Sequence, residues 1–108
     1  MAFDAYDCSL SLIRCLVPLL KRLTALDAKL ADQLRRAAQS TTLNIAEGNR
    51  RAGADRRNRF RIALGSAAEV AACLDVAVAF RYVGERDHAE AYALVDRVRA
   101  MTYRLTKR

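Results

Sequence analysis

The chain has 108 residues, of which 53% are hydrophobic, and it contains one proline and four glycines. A chain of this length holds one domain with a single modest core, and this composition excludes a disordered chain. Nineteen Lys and Arg against twelve Asp and Glu give a net charge of +7. Most of the basic residues are Arg, which favours bidentate contacts to phosphate or carboxylate.

The first predicted helix spans residues 7–23 and has two apolar stripes at helical spacing. We expect the first stripe to face the core; its members are Cys8, Leu12, Cys15, Leu16, Leu19 and Leu23. The second stripe is a candidate subunit interface, with members Leu10, Ile13, Val17 and Leu20. Pro18 lacks a backbone N–H inside this helix, so we predict a kink there.

Three further helices are predicted by apolar residues at helical spacing, over residues 28–48, 56–83 and 88–106. Each begins near an acidic residue that can cap its first amides, namely Asp27, Asp55 and Asp87. Asp87 and Glu90 also have the spacing of a capping box. Gly48 and Gly84 are the predicted ends of the second and third helices. Since strand-like alternation is absent from the sequence, we predict an all-α chain of four helices in one domain, residues 1–108.

Polar residues recur at steps of three and four along the second and third helices. They are Arg36, Ser40, Asn44 and Glu47 on one helix, and Arg61, Ser66 and Glu69 on the other. With the turn near Ala52, the antiparallel register sets Ser40 near Ser66, Asn44 near Arg61, and Glu47 near Asn58. It also sets Arg36 near Glu69, where we expect a buried ion pair. The pattern predicts a polar seam between two closely packed helices; the alternative is the solvated face of two surface helices.

The same two helices carry a family motif. It comprises Gln33-Leu34-Arg35-Arg36-Ala37-Ala38, Ser40, Asn44-Ile45-Ala46-Glu47-Gly48, Ile62-Ala63-Leu64-Gly65-Ser66 and Glu69. The chain thereby resembles the four-helix-bundle proteins encoded within intervening sequences of large-subunit ribosomal RNA genes, a family similar in fold to the accessory variability protein of diversity-generating retroelements. The resemblance implies an antiparallel, up-and-down four-helix bundle that assembles as a ring-like homopentamer, with nucleic-acid binding and no known catalysis. The chain departs from the family in having Leu23-Thr24-Ala25 where a Phe-Pro element is usual.

The basic excess is concentrated between residues 50 and 61, which include six Arg and one Asp. Arginines beside the free amides of a helix N-terminus attract phosphate. We therefore expect a sequence-tolerant contact to RNA or DNA through Arg50, Arg51, Arg56, Arg57 and Arg59. The alternative is that Arg59 and Arg61 form internal pairs while the others solvate an exposed turn. Stacking on bases is not predicted, because Phe60 is expected to point inward and Tyr82, Tyr92 and Tyr103 lie in the opposite half of the chain.

No catalytic, metal or cofactor site is predicted. His88, the sole histidine of the sequence, lies at a predicted helix start, where capping or solvation explains it. The cysteines are expected to be small core residues: Cys8, Cys15 and Cys73. We recognise no signal peptide or membrane segment, because acidic residues precede Leu10 and charges interrupt the apolar run that follows it. We therefore expect a cytoplasmic protein with no membrane partner.

These features predict a non-catalytic, oligomeric four-helix bundle that binds nucleic acid through its basic turn. The resemblance suggests an accessory role beside an RNA-processing or reverse-transcription partner. The alternative is a protein–protein interaction scaffold with no nucleic-acid role. The expected partners are accordingly further copies of the chain, RNA or DNA, or another protein.

Overall fold

The computed structural model describes residues 2–107, and the side chains of residues 5–107. Over this range it contains no strand and four helices, which are α1 (Ala2–Leu26), α2 (Ala28–Asn49), α3 (Gly53–Ala79) and α4 (Glu85–Leu105). Each helix packs against two others, in the cyclic order α1, α2, α3, α4 and back to α1. The connections are short and consecutive helices run antiparallel, so the predicted all-α, four-helix fold is confirmed. The molecule measures 42 × 22 × 19 Å.

The inner faces of the helices form one apolar core. Its largest fully buried side chains include Leu12, Leu16, Leu23, Leu34, Ile45, Phe60, Val70, Leu74, Val95 and Val98. The first predicted stripe of α1 lies in this core, except that Cys15 is only partly buried. The second stripe is half-buried on the flank of the bundle, and its Val17 is exposed. α1 continues through Pro18, and the kink stays a prediction.

Within residues 2–107, α3 is long and apolar enough, by length and composition alone, to cross a bilayer. The core helix of a soluble bundle meets the same criterion, because its inner face must be apolar along its whole length. The inner face of α3 supplies Phe60, Val70 and Leu74 to the core. Its place in the bundle therefore accounts for the apolar residues on its inner face.

α2 begins at a side-chain cap and ends beyond Gly48. The backbone N–H of Leu30 donates a hydrogen bond to Oδ1 of Asp27 at 3.1 Å, so this predicted N-cap is confirmed. The prediction that Gly48 ends α2 is wrong, since α2 runs to Asn49 and Gly48 is helical and buried. A Cβ atom at position 48 would lie 2.5 Å from Cε1 of Phe60. Glycine is needed here for the close approach of α3, and not for a left-handed turn.

α3 begins at Gly53, earlier than the predicted start at residue 56. Gly53 has a φ of +62°, a conformation that glycine adopts without strain. Ala52 is the N-cap and no side chain caps this end. The prediction that Asp55 caps α3 is wrong, because Asp55 lies inside the first turn. Its Oδ2 atom instead accepts a hydrogen bond from Arg51 at 2.6 Å.

α3 ends at Ala79, earlier than the predicted end at residue 83. Arg81 adopts the left-handed conformation, with a φ of 60°. The backbone N–H groups of Arg81 and Tyr82 donate to the carbonyls of Val78 and Ala77, each at 2.9 Å. These two bonds form a Schellman motif, in which glycine usually occupies the left-handed position. The presence of arginine there conceals the helix end from sequence inspection.

Gly84 is the N-cap of α4 and does not end α3. α4 starts at Glu85, so Asp87 lies inside its first turn, and the predicted capping box of Asp87 and Glu90 is wrong. The carboxylate of Asp87 is engaged elsewhere. Its Oδ2 atom accepts a hydrogen bond from Arg22 of α1 at 2.9 Å, which joins the end of α1 to the start of α4.

Replacing Gly48 with Ala is expected to lower the free energy of unfolding by about 1–3 kcal/mol, because the added methyl group overlaps the buried ring of Phe60. Gly65→Ala is the matched control, since a Cβ atom at this helical position meets no atom within 4 Å. The control is expected to gain about 0.5–1 kcal/mol from better helix propensity. Chemical denaturation followed by circular dichroism measures both changes. Equal effects of the two substitutions would contradict the close-packing role of Gly48.

Candidate nucleic-acid interface

Arg51 joins the two sides of the α2–α3 turn. Its Nη1 atom donates to Oδ2 of Asp55 at 2.6 Å, and its Nη2 atom donates to Oε2 of Glu47 at 3.1 Å. The hydrogen bond to Asp55, followed by that to Glu47, raises the pKa of the Arg51 guanidinium. Arg51 therefore bridges one carboxylate of α2 and one of α3. It is expected to hold the turn rather than to contact a ligand.

Arg56 and Arg59 are also bound inside the hairpin. Nη1 of Arg56 donates to the carbonyl of Gly48 at 3.0 Å, and its guanidinium lies 4.7 Å from the ring centroid of Phe60. Nη1 of Arg59 donates to Oδ1 of Asn44 at 3.5 Å. Three of the five arginines that the sequence assigned to nucleic acid thus have side-chain hydrogen bonds within the protein.

Arg50 and Arg57 are the remaining arginines of the predicted site. The Arg50 side chain is 79% exposed, and its Nη1 atom lies 3.7 Å from Oε1 of Glu47. Arg57 is partly buried, and no carboxylate of residues 5–107 lies within 4.0 Å of it. These two guanidinium groups are the members of the predicted site that can reach a ligand without giving up a described hydrogen bond.

The polar seam has a hydroxyl pair at its centre. The Oγ atoms of Ser40 and Ser66 are 2.7 Å apart, as the predicted register requires. Nδ2 of Asn44 donates to the carbonyl and to Oγ of Ser40 at 2.9 and 3.2 Å. All three side chains are half-buried, and the two serines border a surface groove of about 330 Å³. It is lined by Gln33, Arg36, Ala37, Ser40, Ser66 and Glu69.

The predicted buried ion pair of Arg36 and Glu69 is wrong. Both residues are exposed at the rim of the groove, and the Arg36 side chain is 69% exposed. Nε of Arg36 lies 3.1 Å from Oδ2 of Asp32, one turn earlier on the same helix. Oε2 of Glu69 accepts a hydrogen bond from Gln33 at 3.3 Å. At the rim each charge stays in water, which avoids the cost of burying an ion pair.

Two other seam residues differ from the prediction. Arg61 is exposed and does not contact Asn44, whose partner on α3 is Arg59. The prediction that Arg61 faces Asn44 is therefore wrong, and Arg59 occupies that side of α3. Glu47 bonds to Arg51 at its own end of α2, and no described hydrogen bond joins it to Asn58.

The net charge of the protein is concentrated in one half of the bundle. We define the basic half as residues 5–14, 39–64 and 95–107, which the contacts Ser9–Thr42 and Ser40–Ser66 bring to the same end. It contains eleven Lys and Arg and four Asp and Glu. The distal half, residues 15–38 and 65–94, contains seven of each. The excess of seven positive charges therefore belongs to the basic half.

Sequence reasoning missed the contribution of α4 to this half. Because α4 is antiparallel to α3, its C-terminal end returns to the α2–α3 turn and supplies four cations, which are Arg97, Arg99, Arg104 and Lys107. Tyr103 comes with them, so the expectation that it lies away from the basic residues is wrong. The contribution of α4 was missed because residues 85–108 as a whole have a net charge of only +2, with six Lys and Arg against four Asp and Glu. The antiparallel order of helices, which was predicted, is the signal that could have revealed it.

The histidine and the three cysteines have local explanations. Nε2 of His88 lies 3.0 Å from Oδ1 of Asp75, and its ring is 5.1 Å from that of Tyr92, so His88 joins α3 to α4 and does not cap α4. Burial raises the pKa of the Cys8, Cys15 and Cys73 thiols. Among residues 5–107, no group of three or more His, Cys, Asp or Glu is placed to hold a metal ion.

Comparison with known proteins gives a family and a fold. The family model described as "23S rRNA-intervening sequence protein" matches residues 2–104. The chain is similar to a protein of unknown function from the S23 ribosomal protein family of Bacteroides thetaiotaomicron VPI-5482, whose crystal structure superposes with a TM-score of 0.87. The two chains are 22% identical, and the match covers 99% of this chain and 98% of the other. Comparison with curated proteins finds no match.

The hydroxyl contact of the seam is expected to couple Ser40 and Ser66 energetically. In a double-mutant cycle with Ala at both positions, we expect a coupling energy of about 1 kcal/mol, because each single change leaves one half-buried hydroxyl without its partner. The control is the cycle of Arg36→Ala and Glu69→Ala, for which we expect coupling near zero. Chemical denaturation of the single and double variants measures both values. Larger coupling in the arginine–glutamate cycle would contradict the assignment.

Proposed function

The chain belongs to the 23S rRNA-intervening sequence protein family, and from this premise we propose that it is a non-catalytic, oligomeric protein that binds nucleic acid through the basic half of its bundle. No enzymatic function is indicated for the family. The proposal rests on one observation, the location of all seven excess positive charges in that half.

Electrostatics explains why this distribution favours a polyanion. Charges in water are screened over about 10 Å at 0.1 M salt, whereas the bundle is 42 Å long. A phosphate near the basic half therefore interacts with that half, and the neutral distal half contributes little. Arginines bind phosphate through paired N–H groups on a planar fork. Such contacts position a nucleic acid without reading its bases, so the proposed binding is tolerant of sequence.

Oligomer formation is part of this proposal. The second stripe of α1 is half-exposed, and further large apolar side chains are exposed elsewhere on the helices, among them Leu43, Ile62 and Val76. Such residues are candidates for contacts between copies of the chain. A homopentamer would carry five basic halves on one assembly.

Light scattering in solution is expected to give a mass several times the 12.0 kDa of one chain, and the mass of a monomer would contradict this part of the proposal.

A second candidate function is a protein interaction scaffold without a nucleic-acid role. It is favoured by an apolar surface in the distal half, where Phe80 is 63% exposed and its ring is stacked on that of Tyr82 at 5.2 Å. Leu26 is exposed in the same half. Exposed aromatic side chains are enriched where proteins bind each other.

A salt titration with two variants of equal charge distinguishes these functions. The basic-half variant is Arg50→Gln, Arg57→Gln, Arg61→Gln and Arg97→Gln. The distal variant is Lys21→Gln, Lys29→Gln, Arg81→Gln and Arg86→Gln. Binding of labelled duplex DNA and structured RNA is measured by fluorescence anisotropy. For the wild type and the distal variant we expect the same slope of log affinity against log salt.

For the basic-half variant we expect a shallower slope, by about 0.9 on duplex DNA for each phosphate that the variant no longer neutralises. Equal reductions in the two variants would show that total charge, and not the basic half, attracts the nucleic acid. The absence of binding by the wild type would favour the scaffold.

A further inference from the structure

The basic half has a face that extends beyond the α2–α3 turn. Arg57 and Arg61 of α3 form this face together with Arg99, Tyr103 and Lys107 of α4, and we call it the α3–α4 ledge. It combines cations with an exposed aromatic ring. The residues come from segments about forty positions apart, so their proximity follows from the packing of α3 against α4.

Arg57 and Arg61 lie on the side of α3 that faces α4. That side is marked by Asp75, whose Oδ1 atom is 3.0 Å from Nε2 of His88 in α4. Arg57 precedes Asp75 by eighteen residues, about five helical turns, so the two share one side of α3. Arg61 precedes Asp75 by fourteen residues and is rotated from it by about 40°. Both arginines therefore border the groove between α3 and α4.

Arg99 and Tyr103 lie on the matching side of α4. They follow His88 by eleven and fifteen residues, which places both within about 60° of it around the helix. The helices are antiparallel, so residues at equal distances from the Asp75–His88 contact lie level with each other. Tyr103 is fifteen residues after His88 and is therefore level with position 60, fifteen residues before Asp75. Tyr103 is thus between Arg57 and Arg61 along the groove.

The arginines of the ledge lie apart from the carboxylates of the described side chains. No carboxylate of residues 5–107 lies within 4.0 Å of Arg57, Arg61 or Arg99. Asp96 is one turn before Arg99 and forms no ion pair at this distance. Arg51, at the turn, is in contrast bound by two carboxylates. The ledge therefore presents guanidinium groups that can bind phosphate without giving up a protein partner.

Tyr103 adds an aromatic surface among these cations. It is 53% exposed, and Nζ of Lys107 lies 4.8 Å from its ring centroid. An exposed ring can stack on an unpaired base, whereas the base faces of a duplex are covered by neighbouring pairs. Phosphate-binding cations beside a stacking ring are the combination that proteins use to hold single strands.

We infer that the α3–α4 ledge binds a single-stranded segment of nucleic acid, with Arg57, Arg61 and Arg99 contacting phosphates and Tyr103 stacking on an unpaired base. This inference rests on the proposed function and specifies where the nucleic acid binds and in which form. It differs from the turn site of the sequence analysis in drawing on α4 and in leaving Arg51, Arg56 and Arg59 to their structural contacts.

The first test compares two triple variants of the full chain that have equal charge. The ledge variant is Arg57→Gln, Arg61→Gln and Arg99→Gln. The control is Arg14→Gln, Arg50→Gln and Arg97→Gln, whose arginines lie in the basic half but away from the ledge. Binding of labelled oligouridine is measured by anisotropy over a salt series. For the ledge variant we expect the slope of log affinity against log salt to fall by about 2, at 0.7 for each phosphate on a single strand. For the control we expect a smaller fall, because its arginines belong to the basic half but not to the ledge.

The second test isolates the stacking ring. Tyr103→Leu is expected to weaken binding of oligouridine by about 5- to 150-fold and to leave binding of an RNA duplex unchanged, whereas Tyr103→Phe retains both. Circular dichroism confirms that each variant is folded. A fall in the slope of the control as large as that in the ledge variant, or a Tyr103→Leu defect of equal size on duplex and single strand, would overturn the inference while the proposed function stands. A wild type that binds neither probe would remove the proposed function itself.

Discussion

The contact between Gly48 and Phe60 is the constraint on which the basic end of the molecule depends. Position 48 has no room for a Cβ atom, because the ring of the fully buried Phe60 occupies that space. The close approach sets the distance between α2 and α3 at their turn. Arg56 reinforces it by lying over the same ring and by donating to the carbonyl of Gly48. Packing thus decides which arginines hold the hairpin and which remain outside.

The antiparallel bundle gives the molecule two different ends. One half holds the whole charge excess, since the C-terminal part of α4 adds its cations to those of the α2–α3 turn. The other half is neutral overall and exposes Phe80 and Leu26. A polyanion and an apolar partner would therefore favour opposite ends of the 42 Å molecule. The two candidate functions concern separate surfaces and can be tested separately.

In the polar seam between α2 and α3, the cost of desolvation determines which side chains are half-buried and which are exposed. Removing an ion pair from water costs several kcal/mol for each ion, and the attraction between the charges often fails to offset it. Arg36 and Glu69 accordingly stay at the rim, where Arg36 pairs with Asp32 of its own helix. The hydroxyls of Ser40 and Ser66 are cheaper to desolvate and satisfy each other in the half-buried position. The groove is therefore polar without extending the basic surface.

The sequence by itself determined the features that depend on residues close together along the chain. Helical periodicity specified four helices and their inner faces, the inward position of Phe60, the cap at Asp27 and the facing of Ser40 and Ser66. Only the tertiary structure decided what depends on distances between remote segments: the tight contact at Gly48, the exposed positions of Arg36 and Glu69 on the rim of the groove, and the return of Tyr103 to the basic half. The left-handed end of α3 at Arg81 was likewise not determined by the sequence, because arginine does not favour that conformation. Spacing along a helix reports which residues share a face, whereas the partner that each face meets is set by how the helices pack.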